Sequence, residues 1–309
     1  MDKMATGMKQ RTSRLNSVSL PSEIILYLIL GIFALLCVLP FIFTIIISFT
    51  AQSSIQEMGF SFTPNALSLE AYKLVIDIGD QLWRSFFNSI FTTLIGTALS
   101  VLICILYSYA LYRKDFKHRR FFLFFSFFTL LFGGGLTPTY MVCKNLLGLS
   151  DNYAALIIPL LVNPFNFIIM RAFFQGSVSE ALIESAAIDG SGEYRTLFQI
   201  IIPIAMPGIA TIALLNMLAY WNEWFVSLLY INSPDLVPLQ YLLVRMQQQF
   251  EFLVNSSSRS ADFIAILATL PKESLRMAMA VIIVIPIAFA YPFFQRYIIS
   301  GLMIGAVKG

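Results

Sequence analysis

Six long apolar runs, separated by polar stretches, restrict this chain to a membrane-embedded helical fold. They lie at about 24–49, 86–112, 121–143, 153–170, 200–222 and 277–295. Each approaches or exceeds the roughly 20 apolar residues that a helix needs to cross a hydrocarbon layer about 30 Å thick. No Asp, Glu, Lys, Arg or His falls inside any of the six. Charged residues make up 12% of the chain, against about 25% in a soluble domain. The sequence therefore predicts an all-α integral membrane protein with six transmembrane helices. It divides into a basic N-terminal tail, 1–22, and a six-helix domain, 23–309, with a core at about 84–296. The first run is too long for the core of a signal peptide, and no small-residue cleavage site follows it. It reads as a retained spanning helix. Pro138, Pro159, Pro164, Pro203, Pro207 and Pro286 fall in or near spans, where neighbouring helices can satisfy the backbone groups they free.

Basic residues set the orientation. With an internal N-terminus, thirteen of the 20 Lys and Arg residues lie on the inner side, among them the run Arg113–Arg120. The positive-inside rule then predicts a multi-pass protein of the cell membrane with both termini in the cytoplasm. Trp83, Trp221 and Trp224 fall at the predicted outer ends of spans, where an aromatic belt is expected.

The absences narrow the function. Carriers driven by protons or sodium place ionisable groups at membrane depth to hold or pair with the ion, and these spans have none. The chain has no GxxxxGK[ST] loop for ATP. No metal cluster is expected from its ligand spacings. Cys37, Cys104 and Cys143 are far apart and lie in or beside apolar runs, so they read as small packing residues. His118, in the basic loop, reads as solvated or headgroup-facing. The net charge of +3 is too small to suggest nucleic acid. Energy for transport would have to come from another protein.

A polar insert between the fourth and fifth runs offers a place to receive it. Within 177–207, Ser177-x-x-Glu180 fits a capping box and Ser179 is a second N-cap candidate. Gly190, just after Asp189, supplies a helix stop, and a second short helix is expected from Ser191. Such a hairpin lies on the membrane surface, packs on its own bundle or docks on a partner. Glu180, Glu184, Asp189 and Glu193 outnumber Arg195, which disfavours a lipid surface.

The segment Glu184-Ser185-Ala186-Ala187-Ile188-Asp189-Gly190, with Pro203 and Pro207 downstream, resembles the EAA coupling motif of ABC importer permeases. It is most similar to the carbohydrate, maltose-type branch. Trp221-Asn222-Glu223-Trp224, Gly133-Gly134-Gly135 before Thr137-Pro138-Thr139-Tyr140, and the tail Tyr291–Gly309 resemble its oligosaccharide and polysaccharide subgroup. The likeness covers nearly the whole chain from the first span onward. Ser185 departs from the motif's alanine and is still small.

The resemblance implies a type I importer half that is not itself an enzyme. A second homologous permease would pair with it in the membrane lipid. Two cytoplasmic ATPases, carrying the ATP and Mg, would dock on Glu184, Ser185, Ala186, Ala187, Asp189 and Gly190. An extracellular solute-binding protein, lipid-anchored or periplasmic, would deliver an oligosaccharide or larger glycan. Candidates for the sugar path are the amides Asn163, Asn166, Asn216 and Asn222 and the rings Tyr220, Trp221 and Trp224. A lipid-facing amide is costly, so each amide should face a cavity or bond to a neighbouring helix. The loop 223–276, with a helix-like stretch Leu239–Phe252, and the loop 50–83 are expected to meet the binding protein. The competing readings are a secondary carrier and a membrane scaffold with no transport role.

Overall fold

A computed structural model describes residues 20–255 and 271–306. The expected N-terminal tail before residue 20, the polar stretch after Asn255 and the last three residues lie outside them. The chain divides into two compact units, Met1–Ala71 with Pro271–Ala278, and Tyr72–Leu270 with Met279–Gly309. Apart from one isolated antiparallel bridge, Thr50 to Leu67, the ordered elements among the described residues are helical.

In the first unit, α1 spans Leu20–Ser48. It carries Pro40 inside it, and the Pro40 carbonyl accepts from Thr44 Oγ1 at 2.9 Å. A short helix α2, Gln52–Met58, follows. The Thr50–Leu67 bridge, an Asn65 N–H to Ser54 Oγ bond of 3.0 Å and the Phe43–Phe62 ring pair fold the intervening loop back on itself.

After α3, Glu70–Ile76, the second unit is built around α4, Asp80–Tyr112. One face of α4 carries Ser85, Ser89, Gly96, Ser100, Cys104 and Ser108, all small residues three to four positions apart or multiples of that. In a membrane there is no hydrophobic gain between helices, so close backbone approach and hydrogen bonds hold them together. This stripe permits both. A Cβ on Gly96 would overlap the Tyr220 ring. Ser108 Oγ donates to the Phe167 carbonyl at 3.1 Å. Cys104 and Cys143 are buried in two separate apolar clusters.

The remaining runs do not all form single rods. α5, Arg119–Leu131, and α6, Leu136–Met141, which continues as a π-helical turn to Leu146, meet at 114°. The break lies at Gly133–Gly135, where Gly135 has φ 81°, a conformation open to glycine and strained for other residues. α7, Tyr153–Ile157, continues as a tighter turn to Leu160, and α8, Pro164–Ser177, leaves it at 54°. After the insert helices α9, Glu180–Ile188, and α10, Glu193–Arg195, a π-helical turn leads to α11, Ile202–Ile204. α12, Met206–Trp221, then turns off by 82°. Pro203 and Pro207 bracket this corner; neither has an N–H to donate to the preceding turn. The six expected spans thus take two forms. Pro21–Ser48, Asp80–Tyr112 and Lys272–Tyr297 pass as single rods, and the other three spans are bent pairs. α13, Phe225–Tyr230, α14, Leu239–Asn255, and α15, Lys272–Ala306, complete the chain.

Candidate functional site

The polar insert packs at the Arg113 end of α4. Ser179 is the N-cap of α9, but its side chain makes no capping bond, and Ser177 belongs to the end of α8. The expected capping box is therefore not formed. The helix stop is at Gly190, as expected, with φ 76°. The Ser191 N–H donates to the Ala186 carbonyl at 2.9 Å and the Gly190 N–H to the Ala187 carbonyl at 3.0 Å. That pair of bonds is a Schellman closure, which needs a left-handed residue after the C-cap. The second helix starts at Glu193, two residues later than the sequence suggests, because Gly192 takes the extended N-cap position.

Ion pairs tie the insert down. Arg113 grips Asp115 through Nε and Nη2, at 3.0 and 2.7 Å, and its Nη2 also reaches Glu193 at 2.8 Å. The Tyr109 hydroxyl donates to the other Glu193 oxygen at 2.5 Å. Lys114 pairs with Glu180 at 2.5 Å, and the Tyr112 hydroxyl donates to the Val178 carbonyl at 3.0 Å. Arg171 Nε caps α4 by donating to the Leu111 carbonyl at 3.2 Å, where a cation suits the negative helix end. The forked bond from Arg113 holds the Asp115 carboxyl below its usual range, and the same bond raises the Arg113 pKa.

The six predicted coupling residues divide by where they point. Ala186 is buried, and Ser185 Oγ donates back to the Leu182 carbonyl at 3.0 Å. Glu184, Ala187, Asp189 and Gly190 are exposed. Glu184 and Ala187 line a cleft of about 270 Å³ with Tyr112, Lys114 and Ile183. Sequence reasoning missed Ile188 and Tyr194, large apolar side chains left 86% and 80% exposed on either side of Gly190. Their signal is an isoleucine and a tyrosine flanking the polar turn Asp189–Glu193. It also missed Arg113 and Glu193 as partners, because no sequence spacing relates them.

The predicted path residues are mostly tied to one another or to the backbone. Asn166 donates to Asn216 Oδ1 at 3.3 Å, and Asn216 Nδ2 donates to the Ile212 carbonyl at 2.9 Å. This pair joins α8 to α12. The Tyr220 hydroxyl bridges Ser100 Oγ, at 3.3 Å, and the Ile157 carbonyl, at 2.9 Å. Trp221 is buried with its Nε1 donating to the Ile283 carbonyl at 3.0 Å, so it does not stand in an exposed aromatic belt. Trp224 is half-buried against a second cluster that includes Tyr230, Val237 and Tyr241. Asn163 caps α8 by accepting from the Phe165 N–H, and Asn222 donates to the Leu218 carbonyl; both are exposed. Trp83 is exposed.

At the Gly79 end of α4, the loop after α13 is pinned by Asp151, whose Oδ1 accepts from the N–H groups of Asn232 and Ser233 at 2.6 and 2.7 Å. Those two backbone donors lower the Asp151 pKa.

Residues 113–303 match the family described as a binding-protein-dependent transport system inner membrane component. The chain is 37% identical over 289 residues to the polygalacturonan/rhamnogalacturonan transport system permease protein YtcP of Bacillus subtilis, covering 93% of this chain and 98% of that protein. It is 29% identical over 280 residues to the arabinooligosaccharides transport system permease protein AraQ of Halalkalibacterium halodurans, covering 89% and 93%. Among solved structures, it superposes with a TM-score of 0.73 and 30% identity on a chain of a bacterial ABC transporter involved in the import of the acidic polysaccharide alginate. That match covers 89% of this chain and 95% of the other.

Proposed function

The chain belongs to the family of binding-protein-dependent transport system inner membrane components, and from that premise we propose that it conducts an acidic oligosaccharide inward, powered by ATPases gripping α9 and α10. A second permease subunit completes the path, and an extracellular binding protein delivers the sugar. ATP and Mg act on the ATPase subunits. The insert and both termini lie in the cytoplasm, and the loop after α13 lies outside. The observation that carries this reading is the insert itself. It is a polar hairpin held rigidly to the end of α4, yet it presents Ile188 and Tyr194 to solvent. Large exposed apolar side chains beside a held helix suit a docking knob. Glu184 and Asp189 can pair with basic residues of the ATPase groove, and Ala187 and Gly190 leave room for close approach.

The acidic class is favoured because two similar proteins carry polyuronides in their descriptions, one polygalacturonan and the other alginate. Among the path candidates, the exposed Asn163 and Asn222 have side-chain capacity to spare for sugar hydroxyls. Asn166, Asn216, Tyr220 and Trp221 shape the path by holding α8, α12 and α15 together.

The test is co-purification of the chain with its ATPase, followed by uptake of labelled oligogalacturonides by cells carrying the complete transporter. Ile188→Glu or Gly190→Trp should remove ATPase association and uptake together. Retention of both in each variant would defeat the coupling role. Normal uptake of neutral arabino-oligosaccharides with none of oligogalacturonides would defeat the acidic class alone.

A further inference from the structure

α4 is the element that both ends of the second unit hold. At its Gly79 end, Gln81 Nε2 donates to the Pro234 carbonyl at 2.7 Å and Arg84 pairs with Asp235 at 2.6 Å. Asn88 Nδ2 donates to the Asp235 carbonyl at 2.7 Å, and the Leu239 N–H donates to Ser89 Oγ at 2.8 Å. The loop Pro234–Leu239 is thus laid along the first turns of α4. At the other end, Glu193 of the insert is held by Arg113 and Tyr109, and Glu180 by Lys114. The 33 residues between carry no proline, so α4 is one rod about 50 Å long. The fourth and fifth runs, which flank the insert, are broken at corners of 54° and 82°. Such a break absorbs a displacement by changing its angle, whereas an unbroken helix passes it along its axis.

We infer that α4 is a strut that carries displacement of the loop Pro234–Leu239 to the coupling hairpin α9–α10, with Asn88 and Glu193 as the positioning residues at its two clasps. The inference rests on the reading of the hairpin as the ATPase dock and of the loop as the face met by the binding protein. It gives the external partner a mechanical route to the ATPase that bypasses the bent helices. Coupling through one rigid element is reciprocal, so loosening either clasp must loosen the other.

Hydrogen exchange of the complete transporter in nanodiscs, with its second permease and ATPases and without sugar, measures this directly. Three variants are compared, Asn88→Leu, Arg84→Ala and Glu193→Ala. Arg84 and Asp235 are both exposed, so Arg84→Ala loosens the outer clasp without burying an unpaired group. Each outer variant should speed exchange at the amides of 235–237 and 239 and also at 189–196, by roughly threefold to thirtyfold at the distant site. Glu193→Ala should do the reverse, with amides at 94–101 in the middle of α4 keeping their wild-type protection. Glu193→Ala should also raise the ATP hydrolysed per sugar taken up. Faster exchange confined to the altered end in all three variants overturns the strut. Failure of the wild-type complex to hold its ATPase through α9 would instead overturn the reading of the hairpin, and the exchange comparison would still decide the strut.

Discussion

At Gly96 the missing side chain lets α4 and α12 approach until the Tyr220 ring lies against the helix backbone. Ser100, one turn on, accepts or donates to the same tyrosine's hydroxyl. Gly96→Leu must therefore push the ring away from both Ser100 and the Ile157 carbonyl. The expected cost is about 1–3 kcal/mol, the usual range for overpacking. It should appear as a lower melting temperature of the detergent-solubilised complex, with ATPase association retained. Gly190 has the opposite character. Nothing lies within 4 Å of a Cβ there, but its φ of 76° strains any other residue. Gly190→Ala should cost about 1–2 kcal/mol, confined to the hairpin. Coupling should suffer while the melting temperature hardly moves. Equal thermal losses in the two variants would contradict the assignment of one glycine to packing and the other to the turn.

At the scale of elements, the loop after α13 depends on one carboxylate. Asp151 adopts φ 49° and accepts backbone bonds from Asn232 and Ser233. Those donors lower its pKa, so the bonds stay intact through the ordinary carboxylate range near 3.9 and are lost only as pH falls through the depressed value. Exchange protection at Asn232 and Ser233, corrected for intrinsic rates, should persist as pH falls through about 4 and drop only below it. Asp151→Asn should reproduce the drop at pH 7. This clasp was not legible beforehand, because 81 residues separate Asp151 from Asn232. The apolar runs were legible because each is a local fact about composition. Their corners were only half legible. Gly133–Gly135 and the Pro203/Pro207 pair were visible as residues, yet prolines are tolerated in membrane helices. Whether a proline bends or breaks a span depends on what packs around it. The hairpin's stop at Gly190 was read correctly because a left-handed C-cap is a local requirement. Its capping box was not, because Ser177 is drawn into α8.

At the scale of the whole molecule, the asymmetry of charge decides which way the transporter faces. Thirteen of the 20 basic residues lie on the hairpin side if both termini share it. The run Arg113–Arg120 lies there, beside the clasp that holds Glu193. Moving that run across the bilayer would carry its five Lys and Arg residues through the hydrocarbon, at a cost of roughly 2.5–3.5 kcal/mol each even on insertion scales. The same end presents Ile188 and Tyr194, the knob proposed for the ATPase, so orientation and the proposed function stand or fall together. Two single-cysteine substitutions read the orientation without touching either clasp. Lys117 and Gln248 are both exposed. Cys104 and Cys143 are buried, and Cys37, exposed on α1, lies mid-span where a charged reagent would have to enter hydrocarbon, so none should react with a charged, membrane-impermeant maleimide. In intact cells Gln248→Cys should be labelled and Lys117→Cys should not. After permeabilisation both should be labelled to a similar extent. The reverse pattern in intact cells would place the hairpin outside, away from any ATP, and would remove the basis for an ATP-driven import cycle through this chain.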